Sequence, residues 1–240
     1  MADALNIASK EWTWIKPLYP NMSQLSFLGD IHSEVSLEGT LSDLNLNLSL
    51  KSDMGSLDSD IYINTDSLDD FIYKGRLNLN HFNADLFKNK FGIKEVDGEI
   101  NVEGKGIDIL SFDTEIVGDL NSVNVGGRSY DDIVLNGRLQ PNYFKGEAWI
   151  SDDDLELDFS GEVDFSKDKP VMDFVANVVE ADLVKLNLYN KEPVAKLSSL
   201  IEINLKGNQW SNIEGELGVY FTSLETSDTQ LADGCYSFPH

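Results

Sequence analysis

The chain has 240 residues, of which 41% are hydrophobic, enough for one large or two small folded domains. It carries 42 Asp and Glu side chains against 18 Lys and Arg, which gives a formal net charge of -24. Because nucleic-acid binding depends on basic side chains that neutralise phosphates, this composition argues against that function. It argues equally against attraction to anionic membrane headgroups.

The single cysteine, Cys235, excludes a disulfide framework within the chain. No apolar run approaches the roughly 20 residues of a membrane-spanning helix. Residues 1–6 lack the basic and apolar regions of a signal peptide. We therefore expect any membrane anchor or export signal to lie outside this sequence.

A short amphipathic helix followed by a turn is predicted within residues 1–32. Packing against the rest of the protein is favoured over binding to a membrane surface, because surface helices usually carry many basic residues and this segment has only Lys10 and Lys16. The helical spacing ends before Pro17 and Pro20. It is carried by Leu5, Ala8, Trp12 and Ile15.

From Ser33 to about residue 224, apolar and polar residues alternate in run after run, which predicts roughly thirteen strands joined by tight turns. The expected fold class is all-β: an elongated, curved antiparallel meander with one apolar face that forms a U-shaped groove. A break near residues 180–188 predicts a short helix or a covering loop. Residues 225–240 are expected to form an irregular tail.

Glycines inside the predicted strands lie two positions from apolar residues, so they are expected on the same face of the sheet as those residues. Missing side chains on one face let a sheet bend toward that face. The alternative is that small residues are spaced to fit the core of a sandwich. The positions predicted to bend the sheet are Gly75, Gly98, Gly118, Gly137, Gly146, Gly161, Gly207 and Gly215, while Gly218 breaks the parity rule.

The residue patterns of several common enzymes are absent from the sequence. It contains no dinucleotide-binding glycine motif, no phosphate-binding loop and no nucleophile elbow. His32, His81 and His240 lie far apart in the chain, and the acidic run 152–154 lacks the order of a calcium-binding loop. We expect a non-enzymatic protein without cofactor or metal.

The apolar face predicts a surface for acyl chains rather than for a polar substrate, because aliphatic and aromatic side chains dominate it and no polar group is fixed there. The same alternation also permits a closed sandwich or a β-helix. The predicted lining consists of Leu44, Leu46, Leu48, Leu77, Leu79, Ile100, Val102, Ile116, Leu135, Leu139, Leu157, Phe159, Val163, Phe174, Ile203 and Leu205.

The run 157–165, followed by Pro170, Phe174 and the Leu-rich segment 181–188, resembles the TamB/AsmA-like envelope proteins of the translocation and assembly module. Similar patterns occur at 39–44 and 130–137, and the resemblance covers about 35–221. It implies a repeating β-groove for lipids in the periplasm, an inner-membrane anchor and an outer-membrane β-barrel partner of the Omp85 type. It also implies a role in lipid transport or in outer-membrane protein assembly.

Two departures from that family predict that the chain is an internal fragment of a longer protein. No anchor helix is present, and residues 235–240 do not continue the strand pattern. A second possible function is that of an extracellular structural or adhesive β-protein with a closed core. A third is a β-helical enzyme that cleaves acidic polysaccharides.

Overall fold

The computed structural model describes residues 3–7, 31–40, 42–65, 71–84, 89–106, 112–208, 212–227 and 230–239. These residues form one antiparallel sheet of fourteen strands, paired in the order in which they occur along the chain. The predicted all-β meander is therefore confirmed. The sheet is open, because β1 and β14 form its two edges and do not pair with each other.

The strands are β1 (Asp3–Ile7), β2 (Ile31–Gly39), β3 (Asp43–Ser52), β4 (Gly55–Thr65), β5 (Phe71–Asn83), β6 (Ile93–Lys105), β7 (Asp113–Val125), β8 (Arg128–Gln140), β9 (Tyr143–Asp152), β10 (Leu155–Asp164), β11 (Val171–Asp182), β12 (Ala195–Lys206), β13 (Glu214–Thr226) and β14 (Gln230–Pro239). From β2 onward the strands have 9 to 13 residues.

Three expectations about the boundaries differ from the structure. Leu5 lies in β1 rather than in a helix, and the rest of the predicted N-terminal helix falls outside the described residues. The tail at 230–239 is not irregular but forms β14, because backbone pairing with β13 needs no apolar alternation. Gly207 follows the last residue of β12 instead of lying inside a strand.

The register places the apolar residues of successive strands directly opposite one another, which produces four lateral rows across the sheet. Row 1 runs from Gly39 in β2 to Gly215 in β13, row 2 from Leu37 to Leu217, row 3 from Val35 to Val219, and row 4 from Ser33 to Ser199 in β12. Alternation along each strand sends these rows to one face and the charged residues to the other.

The strands are bent so strongly that their two ends approach each other. We call the edge with the turns at 53–54, 126–127 and 153–154 the first rim, and the edge with 141–142 and 165–170 the second rim. Residues 89–92, here the strap, contact both rims. The carbonyl of Gly92 accepts from the amide of Gly126 at 3.0 Å, and the amide of Lys90 donates to Oδ1 of Asn142 at 2.7 Å.

These two hydrogen bonds show that strands of the sheet are bent, so that the first rim and the second rim lie close together. A straight strand of the length of β8 would separate its ends by about 40 Å. Residues two positions apart in the strap reach no more than about 7 Å. The apolar face lies inside the fold, because Ile116 on that face is 6% exposed whereas the next residue, Val117, is 52% exposed.

Glycines lie at the positions where neighbouring backbones come closest. Gly137, Gly146 and Gly161 are adjacent in row 2 on three successive strands. A methyl group added at Gly137 would lie 2.8 Å from the Cα of Gly146, and one at Gly146 would lie 2.6 Å from the Cα of Gly137. Gly161 also has a φ of 149°, which side chains disfavour. At Gly118, by contrast, the added methyl would meet only the side chain of Leu135.

The connection between β11 and β12 covers one part of the apolar face near the first rim. It forms turns rather than the predicted helix, and Leu186 packs with Val178 and Ala181 as a small buried cluster. Arg128 holds this connection through a hydrogen bond to the Lys185 carbonyl at 2.9 Å. The alternative of a covering loop is therefore the correct one.

We expect Gly137→Val and Gly161→Val to lower the free energy of unfolding by about 2 kcal/mol or more, because a branched side chain would overlap the neighbouring strand. Ser160→Val, on the exposed face of β10, is the control and should change stability by no more than about 0.5 kcal/mol. Urea unfolding followed by circular dichroism measures both effects. Equal midpoints for the three variants would contradict the role of the glycines in the bend.

Candidate functional site: the apolar face of the folded sheet

All sixteen positions predicted to line a groove lie on the same face of the sheet, in the four rows. Row 1 holds Leu44, Leu139, Val163 and Leu205, and row 2 holds Leu46, Val102, Ile116, Phe174 and Ile203. Row 3 holds Leu48, Leu77, Ile100, Leu135 and Phe159, and row 4 holds Leu79 and Leu157. Seven of the bending glycines share these rows, and only Gly207 lies beyond them.

Row 2 is the most uniform part of the apolar face. From β2 to β13 it contains only aliphatic side chains, one phenylalanine and glycines, in the order Leu37, Leu46, Ile61, Gly75, Val102, Ile116, Gly137, Gly146, Gly161, Phe174, Ile203, Leu217. Because no hydroxyl, amide or charge interrupts it, this row presents a continuous apolar path perpendicular to the strands.

The buried residues of the face include Ile116 and Val102 from the predicted set and others that the sequence analysis did not select. Leu120, Val123 and Ile133 form a buried cluster that Ile100 and Leu135 join from the predicted set. Alternation alone predicts the same degree of burial for every inward-facing residue. The cluster contains side chains of four neighbouring strands, β6 to β9.

Three phenylalanines form a ladder on the face near the second half of the sheet. The ring centroid of Phe159 lies 6.1 Å from that of Phe144 and 5.1 Å from that of Phe174. Such tilted pairs add attraction beyond the burial of area. Phe144 could have been found from its parity with Gly146 and Ala148.

The few polar groups on the apolar face are mostly bonded to protein atoms. The hydroxyls of Tyr73 and Thr114, in row 1, hydrogen-bond to each other. Ser199 donates to the carbonyl of Tyr220 at 3.2 Å. The Ser59 hydroxyl, in row 3, is buried without a partner among the described residues. The face therefore offers few polar atoms to a ligand.

Ion pairs lie along both rims of the fold. At the second rim, the Arg138 guanidinium donates to both carboxylate oxygens of Asp113 and lowers the pKa of that carboxyl to about 2. At the first rim, Lys185 donates to Asp154 at 2.7 Å, and this bond together with one from Arg128 lowers the pKa of Asp154. Charged groups thus mark the rims and leave the apolar rows free of charge.

The polar face carries two concavities of its own. One of about 680 Å³ lies over strands β9 to β13, where Glu162, Asp173 and Glu216 face it from the polar side and Phe174 and Ile203 border it. The other, of about 350 Å³, lies over β2 to β5. Residues of row 2 line the first concavity and Leu48 of row 3 lines the second, so both touch the predicted groove residues, but carboxylates of the polar face line them as well.

One histidine has acidic neighbours that the sequence spacing did not reveal. Nδ1 of His81 lies 3.0 Å from Oε1 of Glu95 and 3.4 Å from Oδ2 of Asp97. The hydrogen bond to Glu95, with the charge of Asp97 next in effect, raises the pKa of His81. His81 lies far from His32 and His240 in the chain, but it is not isolated from other titratable groups.

No protein-family model, curated protein or solved structure matches this chain in the three comparisons. Among the residues that the structure describes, no helix has the length and apolarity of a membrane span.

We expect cysteines placed at Phe91 in the strap and Phe165 at the second rim to be joined rapidly by a short bis-maleimide, because the two ring centroids are 5.5 Å apart. The experiment uses a Cys235→Ser background, with Phe91→Cys and Phe165→Cys. Electrophoretic mobility under denaturing conditions measures the crosslink.

The matched control pairs Phe91→Cys with Ser160→Cys, which lies on the outer face in the middle of β10 and should react slowly. Crosslinking of both pairs at the same rate, or of neither, would contradict the approach of strap and rim.

Proposed function

We propose that this chain is a non-enzymatic segment that holds acyl chains of lipids against the inner, apolar face of its folded sheet. In the same proposal, the segment belongs to a periplasm-spanning protein, anchored in the inner membrane by a part outside this chain. That protein carries phospholipid or another acyl lipid between two membranes or assists outer-membrane protein assembly with a β-barrel of the Omp85 type.

The observation that carries the proposal is the uninterrupted apolar row 2, on a face without a second layer. Substantial contacts among the described strands occur only between sheet neighbours, so no second sheet packs on the rows. Concave sites lined mainly by apolar side chains usually hold a ligand. A row that runs across many strands in series fits a long, flexible apolar ligand better than a compact one.

The energetics favour holding a lipid while allowing it to move. Burial of one methylene contributes about 0.8 kcal/mol, so a chain of about fifteen gains roughly 12 kcal/mol before the cost of ordering it. Neighbouring strands lie about 4.8 Å apart and present similar side chains. A bound chain therefore meets small differences in free energy from one strand to the next, which favours sliding along the rows.

The bend also supports the proposal, because it encloses the rows on two sides. The strap contacts the second rim through Lys90, whose ammonium donates to the Phe165 carbonyl at 2.6 Å. Carboxylates on the outer face keep the segment soluble and disfavour contact with anionic headgroups there. The inner face is left for the apolar part of the lipid.

We expect Leu46→Asp and Leu157→Asp to abolish retention of lipid while the protein stays folded, because water can reach a charge in an open groove. In a dry core an unpaired carboxylate costs several kcal/mol and unfolds the domain. Mass spectrometry of lipid extracts from the gently purified chain measures retention, and circular dichroism measures folding.

The control places Asp on the polar face, as in Ser160→Asp, which should leave retained lipid unchanged. Photo-crosslinking groups at Leu157 should label lipid, whereas groups at Glu156 and Asp158 should not. Wild-type protein without lipid, together with inner-face variants that unfold, would overturn the proposal and favour a structural β-protein.

A further inference from the structure

A bulge in β5 brings His81 against two carboxylates of β6 on the polar face. The pairing of β5 with β6 shifts between Leu79 and Phe82, so the bulged residues have no regular partners. His81 has a φ of 46°, an uncommon backbone conformation for a residue with a side chain. Bulges of this kind redirect a side chain relative to the regular strand.

Three potential ligand atoms converge at the bulge: Nδ1 of His81, a carboxylate oxygen of Glu95 and one of Asp97. All three lie within 4.8 Å of one another. Nδ1 of His81 is 3.0 Å from Oε1 of Glu95 and 3.4 Å from Oδ2 of Asp97. Ligands about 2.1 Å from one ion, at octahedral or tetrahedral angles, are themselves about 3.0 to 3.4 Å apart. Both nitrogen–oxygen distances match that requirement, and the two carboxylate oxygens lie within 4.8 Å of each other.

We propose that His81, Glu95 and Asp97 bind one divalent transition-metal ion, with Zn²⁺ the best match to a neutral imidazole and two carboxylates. The two carboxylates neutralise the ion, and water completes the coordination. The site lies outside the apolar rows, so it is independent of lipid binding.

The surroundings position the ligands. The backbone amide of His81 donates to Oδ1 of Asp97 at 2.8 Å, which leaves Oδ2 of that carboxylate toward the ring. Such support of a ligand by a second hydrogen bond is typical of metal sites. Nδ1 must be unprotonated to bind an ion, so metal binding competes with protonation of that nitrogen.

The bound ion would clamp β5 to β6 at the point where their register shifts. His81 comes from one strand, and both carboxylates come from the other. An ion coordinated from both sides adds a link where ladder hydrogen bonds are interrupted. The expected consequence is a higher thermal midpoint in Zn²⁺ than in chelator.

The test is titration of the full chain, stripped with chelator, with ZnCl₂ by calorimetry and with Cu²⁺ by electron paramagnetic resonance. Wild type should bind one Zn²⁺ at least about tenfold more tightly than His81→Asn or Glu95→Gln. The Cu²⁺ spectrum should show nitrogen hyperfine coupling that His81→Asn removes. Asn tolerates the left-handed backbone of position 81, so this variant keeps the bulge.

His32→Asn is the matched control and should leave the affinity, the stoichiometry and the nitrogen coupling unchanged. Circular dichroism checks that each variant is folded. If His81→Asn unfolds, the comparison of wild type with Glu95→Gln tests the proposal. That variant should remain folded, because the Glu95 side chain is 49% exposed. Equal affinities in wild type, Glu95→Gln and His81→Asn would mean metal bound by scattered surface carboxylates and would overturn the proposal.

Discussion

The close approach of glycine backbones along row 2 is the constraint on which the rest of this structure depends. Among the residues that the structure describes, no second sheet packs on the apolar face of the fourteen-stranded sheet, and much of that face is buried by the fold of the sheet on itself. Gly137, Gly146 and Gly161 permit the fold because a side chain at any of them would meet neighbouring backbone. The rims, the strap and the inner rows all follow from this bend.

The outer face of the bent sheet carries charged side chains, whereas the inner rows carry none. The chain has 42 acidic and 18 basic side chains, and cross-strand pairs such as Lys74 with Glu103, at 2.6 Å, use part of the basic set on the outer face. Such exposed pairs contribute little stability individually. Their main effect is to keep the outer face hydrated.

The all-β fold class and the residues of the apolar face could be predicted from the sequence. Alternation from residue 33 onward implied consecutive hairpins, and the parity of the glycines implied which face the sheet bends toward. All sixteen predicted lining residues occur on one face because a period of two leaves no other choice once a strand is formed. The N-terminal and C-terminal predictions were weaker, since β1 and β14 are held by backbone pairing rather than by an apolar pattern.

By itself, then, the sequence determined the strands, their two faces and the absence of charge along the inner rows, since these depend on local periodicity. Only the tertiary structure decided how sharply the strands bend, that Lys90 and Phe91 reach the opposite rim, and that Leu120 rather than Leu46 is deeply buried. It also decided that His81 meets Glu95 and Asp97. These contacts join residues distant along the chain or depend on a bulge, and neither spacing nor periodicity encodes such distances.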